Sequence, residues 1–230
     1  MRGSAGSNLD PQIDETIRFA QGLFRASGIV FGWVSRDSLF NTREVVGVSH
    51  RLMDEYLGGM VRHDPLNVFD LIARREKVAF LAQYRTAMSA ENQAIHTGFL
   101  DRFGVVDEAD LIFWDGGLPI AVLGVLKRPG DPPFHDSEFD WETIRRYLEY
   151  NLRQHPHVRK GRRTRQLAGA YGLTPREIEV VSLLEMGASN AKIAEILGIG
   201  VATVKTYIVN ILNKLGVDNR ASIVAYTAAL

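Results

Sequence analysis

Lys205, Thr206 and Val209 share one side of a helical stripe whose other side is Val204, Ile208, Ile211, Leu212 and Leu215. Ala202 and Thr203 keep the N-terminal end of that helix small. Such a face lets a helix backbone approach the floor of a DNA major groove. There a lysine reaches guanine acceptors, and a threonine or valine touches a thymine methyl. An ordinary solvated helix would more often alternate acidic and basic residues on that face; a helical bundle for protein contacts only is the alternative. Other chemistry is poorly represented. The chain has no cysteine, which excludes disulfides, thiolate metal sites and cysteine nucleophiles together. His63, His96 and His135 are not spaced as metal ligands, and His155 and His157 lie in a polar stretch where solvation is the simpler reading. No nucleophile–base arrangement or phosphate-binding glycine loop is visible. Neither an enzyme nor a cofactor is therefore expected.

The elements that would position the three residues are short helices. Leu173-Thr174-Pro175-Arg176-Glu177 combines a capping threonine, a proline at the first helical position and a capping-box glutamate. Ile178, Val181 and Leu184 follow at helical spacing, and Gly187 ends the element. Ser189 or Asn190 caps a second helix, Ala191 to Leu197. Gly198-Ile199-Gly200 then leads directly into a third, Val201 to Leu215. Two helices joined by so short a glycine turn form a helix-turn-helix. Charge agrees: from Pro156 onward there are ten Lys/Arg against five Asp/Glu, while the whole chain is neutral. A basic tail on an acidic body suits a polyanionic partner.

Leu173–Leu230 resembles the DNA-binding domain of LuxR-type regulators. The resemblance rests on Leu173-Thr174-Pro175-Arg176-Glu177-Ile178-Glu179-Val180, Gly187-Ala188-Ser189-Asn190-Ala191-Lys192-Ile193-Ala194, Thr203-Val204-Lys205-Thr206-Tyr207 and Lys214-Leu215-Gly216-Val217. It implies a four-helix, all-α domain with Asn219–Leu230 as the fourth helix and dimer contact. It also implies base-facing roles for Lys205, Thr206 and Val209, and phosphate contacts from Thr203, Lys214 and Arg220. Double-stranded DNA and a second copy of the chain are the implied partners, with RNA polymerase a further one for a regulator of this kind. Two departures stand out: Tyr207 where the family usually has His, and Gly200 where it often has Ser or Thr.

Ahead of this domain the pattern mixes helices and hairpin-linked strands, so residues 1–154 read as an α+β domain with a central antiparallel sheet and flanking helices. Helices are expected over Pro11–Ala26, Arg51–Leu57, Leu66–Arg75, Ala90–Phe103 and Ser137–Gln154. Strands are expected over Ile29–Val34, Arg43–Ser49 and Val78–Leu81. Leu111–Trp114 and Ile120–Leu126, around Asp115-Gly116-Gly117, give the strongest hairpin signal. Residues 155–166 read as a basic linker, and 167–230 as the DNA-binding domain. Absence of an acidic pair after Trp33-Val34-Ser35-Arg36 argues against a phosphoacceptor receiver. Two sensor types stay open. Tyr56 and Asp64-Pro65 resemble part of the Trp-x3-Tyr…Asp-Pro pattern of acyl-homoserine-lactone domains, with Leu52 in place of the tryptophan. A GAF- or PAS-like domain also builds such a sheet around a small cavity. For either, Trp33, Tyr56, Asp64 and Trp114 are the candidate effector contacts, against plain core roles for each. A domain that only dimerises or binds protein is the rival. No apolar run approaches the ~18 residues of a membrane span, and Met1–Asp10 has no signal-peptide core, so a cytoplasmic location is expected.

Overall fold

The computed structural model describes residues 10–34, 39–134 and 139–230, with backbone alone for 39–43. His135, Ser137 and the Ser35-Arg36 positions raised above lie outside the described residues. The chain divides into two compact units, residues 1–153 and 154–230.

In the first unit, helix α1 (Pro11–Phe24) precedes strands β1 (Gly28–Val34) and β2 (Leu39–Val46). Helices α2 (His50–Gly58) and α3 (Val68–Ala73) follow, then β3 (Val78–Phe80) and the helices α4 (Leu81–Tyr84) and α5 (Ala90–Arg102). The hairpin β4 (Asp107–Asp115) and β5 (Leu118–Lys127) leads to α6 (Trp141–Gln154), whose last residue crosses the unit boundary. The sheet is antiparallel throughout, in the order β2-β1-β5-β4-β3. The turn between β4 and β5 sits on Gly116 and Gly117, at φ +59 and +81, one residue later than an Asp115-Gly116 turn. These positive φ values are strained for any side chain, which explains the paired glycines.

Strand alternation gives the sheet two buried faces. Ile29, Phe31 and Trp33 of β1 share one face with Leu111 and Phe113 of β4 and Leu123 and Val125 of β5. Helix α1 covers it with Ile13, Ile17, Ala20 and Phe24. Helix α6 lies beside α1: Phe24 stacks on Trp141 with ring centroids 4.4 Å apart, and Gln12 Nε2 donates to the Asn151 carbonyl at 3.0 Å. On the opposite face Val30, Ile112, Val122 and Leu126 pack with Leu52 and Met53 of α2, Val68 and Leu71 of α3, and Phe99 and Leu100 of α5.

The second unit is all helical. Residues expected as a basic linker form a helix instead, α7 (Pro156–Gly169), opened by His155, whose Nδ1 accepts the His157 N–H at 3.1 Å. The expected four helices follow as α8 (Pro175–Glu185), α9 (Asn190–Leu197), α10 (Val201–Leu215) and α11 (Arg220–Ala228). Their shared core is Leu167, Val180, Val181, Leu184, Ile193, Val204, Ile211 and Ile223. Glu185 ties the outer helices together, accepting from Arg163 of α7 and, at 2.5 Å, from Thr227 Oγ1 of α11.

Candidate recognition helix and N-terminal cavity

Helix α8 begins with the reciprocal bonds of a capping box. Glu177 N–H donates to Thr174 Oγ1 at 3.3 Å, and Thr174 N–H donates to Glu177 Oε2 at 2.8 Å. Helix α9 is capped by Ser189 and ends at Gly198, held at φ 64, ψ 37. That left-handed residue reverses the chain tightly enough for α10 to start at Val201, with 107° between the axes of α9 and α10. No single helix is long and apolar enough to cross a membrane among the described residues.

Val204, Ile211 and Leu215 anchor α10 in the core, and Ile208 and Leu212 are partly buried beside them. The rotation so fixed leaves Thr203, Lys205, Thr206 and Val209 exposed, Val209 to 53%. An apolar side chain this open on a rigid helix has no role in the unit's own packing. Lys214 and Arg220, paired with phosphate by resemblance, are engaged inside the unit. Lys214 Nζ donates to Glu177 Oε2 at 2.6 Å, a carboxylate only 3% exposed. The guanidinium of Arg220 donates to the Ala188 carbonyl at 2.5 Å and to Asn190 Oδ1 at 3.2 Å. Lys214 thus ties the end of α10 to the start of α8 and Arg220 braces the turn between α8 and α9, so the structure gives both cations scaffold partners. Tyr207 is partly buried against the core. Gly200 occupies the N-cap of α10 in extended backbone, with no side-chain cap bond, and a Cβ there would meet only Thr203 Oγ1 at 3.8 Å. Gly200→Ser is therefore expected to stabilise the unit by a few tenths of a kcal/mol, read as a raised helical melting midpoint by circular dichroism.

In the first unit a cavity of about 50 Å3 lies between the sheet and helices α2, α3 and α5. Most of its wall is hydrocarbon, from residues such as Val30, Leu52, Met53, Val122 and Leu126. Four polar residues reach it with titratable groups: Tyr56, His96, Glu108 and Asp110. Asp64 adjoins them, accepting from Tyr56 Oη at 2.7 Å and from the Leu66 N–H at 2.8 Å. His96 Nε2 lies 3.5 Å from Asp64 Oδ1, the oxygen that accepts from Leu66. Gly124 pairs with both Val30 and Asp110, and a Cβ at 124 would come within 3.1 Å of Asp110 Oδ1. Glycine thus clears the space the carboxyl occupies.

The four expected effector contacts are divided by the fold. Tyr56 and Asp64 meet at the cavity. Trp114 packs against the same core without lining the cavity, its Nε1 donating to the Glu76 carbonyl at 3.3 Å. Its backbone N–H is held at 2.7 Å by Glu149 of α6, where the β4–β5 register shifts. Trp33 is a correction: it belongs to the other face, edge-on to Phe31 at 5.1 Å, because it alternates with Val30 rather than matching it. Sequence reasoning missed His96, Glu108 and Asp110. The signal was present, since 108, 110 and 112 share a strand face and Ile112 is plainly core.

Burial pushes the Asp64 carboxyl up to about 6, with the Tyr56 and Leu66 hydrogen bonds opposing. Glu108 and Asp110 are driven well above the carboxylate range by burial first and by neighbouring carboxyls second. Burial also raises the Tyr56 phenol well above its usual value. His96 is lowered to about 4 by burial, helped by Arg85 and His63. The three acids hold protons in the fold that they would release in the unfolded chain. Their contribution to stability is thus fully present below the ordinary carboxylate value of 3.8 and lost as pH rises through their folded values, which for Asp64 is complete just above about 6 and for Glu108 and Asp110 extends higher. His96 acts oppositely, costing stability as pH falls from about 6.5 to about 4. All three tryptophans (33, 114 and 141) lie in this unit, so tryptophan fluorescence reports it alone. Melts of the full chain followed this way are expected to show a lower midpoint at pH 8 than at pH 6; an equal or higher midpoint at pH 8 contradicts the burial of these acids.

Comparison with known proteins agrees with the geometry of the second unit. Residues 171–227 match the family described as bacterial regulatory proteins, luxR family. The chain is 43% identical over 58 residues to the transcriptional regulatory protein MctR of Rhizobium johnstonii, covering 25% of this chain and 27% of that one. It is 46% identical over 54 residues to the transcriptional regulatory protein LiaR of Bacillus subtilis, covering 24% and 26%. These matches span about a quarter of each relative's length. Among solved structures, Escherichia coli SdiA aligns over 96% of this chain and 92% of its own, at 14% identity and a TM-score of 0.44. At that score the likeness is too loose to assign a ligand.

Proposed function

Given that residues 171–227 form a regulatory domain of the luxR family, we propose that this chain is a sequence-specific DNA-binding transcription regulator. The observation that carries the reading is the face of α10. Its core anchors fix its rotation, its angle to α9 is that of a helix-turn-helix, and Lys205, Thr206 and Val209 stand free on its open side. Thr203, at the exposed start of the helix, is the phosphate contact that the geometry leaves available. Lys214 and Arg220 serve mainly to hold α8, α9 and α10 together. Helix α7 adds Arg159, Lys160, Arg162 and Arg165 to the basic character of the unit, which raises the local concentration of a polyanion.

Binding to paired half-sites requires two copies of the helix, so a homodimer is the working form in this reading. Contact with RNA polymerase and residence in the cytoplasm, beside the chromosome, belong to the same proposal. The first unit is read as the sensor of a small effector held in the cavity at Tyr56 and Asp64. A fully packed apolar core would favour a unit that only dimerises. A cavity with buried polar groups favours the sensor.

Fluorescence anisotropy of the full chain with a labelled duplex, titrated at several salt concentrations, tests the DNA reading. The logarithm of affinity is expected to fall linearly and steeply with that of salt, as phosphate neutralisation releases counterions. No binding even at low salt overturns it.

A further inference from the structure

We infer that the effector of the first unit is a small organic cation, a primary amine with a short apolar body, whose ammonium is held by Asp64, Glu108 and Asp110. The inference rests on the reading of that unit as a sensor and names the chemistry its cavity selects. Asp110 carries it. The residue is only 7% exposed, lines the cavity, and has no hydrogen-bond partner for its carboxyl among the described residues. The carboxyl forms part of the cavity wall, and the sheet is adapted to keep it there, with Gly124 opposite in place of a side chain.

Among the described residues, no lysine or arginine lines the cavity. His96 is its basic group and is held neutral by burial. Arg85 acts on Glu108 and His96 but does not line the space, and Lys127, on the same hairpin, is committed to the Phe24 carbonyl. A positive guest is therefore what the arrangement lacks. Its remaining wall is hydrocarbon together with the rings of Tyr56 and Phe99, which suits an alkyl body and adds attraction to an ammonium. The volume of about 50 Å3 admits roughly three to five heavy atoms. A neutral acyl lactone would leave the carboxyls unmatched. A metal ion is the other cation to weigh, since ligand atoms of Asp64, His96 and Glu108 lie within 4.8 Å of one another. That trio omits Asp110, and the hydrocarbon wall offers an ion no further donors.

Binding would convert protonated carboxyls to carboxylates and release protons, because the ammonium stabilises the charged forms. The experiment uses the full chain, with n-butylamine hydrochloride, n-butanol and sodium butyrate as probes at matched ionic strength. Tryptophan-detected melting and calorimetry in two buffers of different ionisation enthalpy are the readouts. Butylamine is expected to raise the midpoint of the first unit and to give a buffer-dependent heat, while butanol and butyrate do neither. Asp110→Asn, which keeps the side-chain shape, is expected to weaken butylamine binding at least tenfold, and Glu108→Gln serves as a second variant should Asp110→Asn not fold. Butanol binding as well as butylamine, unaffected by Asp110→Asn, overturns the charge assignment and leaves the sensor reading standing. Stabilisation by zinc or manganese that His96→Ala removes, without an effect of butylamine, overturns it in favour of a metal. Failure of butylamine to shift the midpoint or give a buffer-dependent heat overturns the amine assignment and leaves the sensor reading standing.

Discussion

Ile211→Ala is expected to destabilise the C-terminal unit by about 2–5 kcal/mol. Ile211 is fully buried and, with Val204 and Leu215, fixes α10 to the core made by α8, α9 and α11. A unit of this size has a total stability of only about 4–12 kcal/mol, so the substitution removes a large part of it. The loss should appear as a lowered helical melting transition in circular dichroism. Tryptophan fluorescence should be unchanged, because every tryptophan lies in residues 1–153. DNA affinity should fall at temperatures where the unit begins to unfold and recover on cooling. A tryptophan transition that shifts together with the helical one would show that the two units do not unfold independently.

Lys205→Ala is expected to act in the opposite way, leaving stability within about 0.5 kcal/mol and weakening binding to the preferred site by about 1–3 kcal/mol. That is a loss of roughly five- to 150-fold in affinity. The residue is exposed on α10, outside the core that fixes the helix. Since a base contact carries sequence information and a phosphate contact does not, the preference at one base position should relax as well. A salt dependence left unchanged in slope, together with altered specificity, is the signature of base readout. A slope reduced by about one with specificity intact would move Lys205 to the DNA backbone.

The C-terminal unit was legible in the sequence because its signals are local. A capping box at Thr174 and Glu177, glycines at 187 and 198, and a 3.6-residue stripe ending at Leu215 each act within a few residues. The cavity depends on pairings across the sheet, which periodicity alone does not give. Alternation placed Trp33 with Phe31 but could not say which face α1 would cover, and the tryptophan fell on the side away from the cavity. The strand expected over Leu111–Trp114 begins four residues earlier, at Asp107, and the added alternation carries Glu108 and Asp110 to the cavity. Helix α7 was hidden by composition: only Val158 and Leu167 are buried along it, and its bond to Glu185 spans two helices. Lys214 and Arg220 show the same limit. Their positions match a family pattern, while their partners, Glu177 and the Ala188 carbonyl, are brought close only by the fold.

Selection of binding sites from a pool of random duplexes, run in parallel with the full chain and with Lys205→Ala, tests most directly that α10 reads DNA sequence. The proposed regulator should enrich a short motif, appearing as an inverted repeat with half-site centres about 10 base pairs apart. The variant should enrich a motif degenerate at one position in each half. Enrichment of no motif by the full chain, or of an identical motif by both proteins, would contradict the assignment of Lys205 and its neighbours as the reading face.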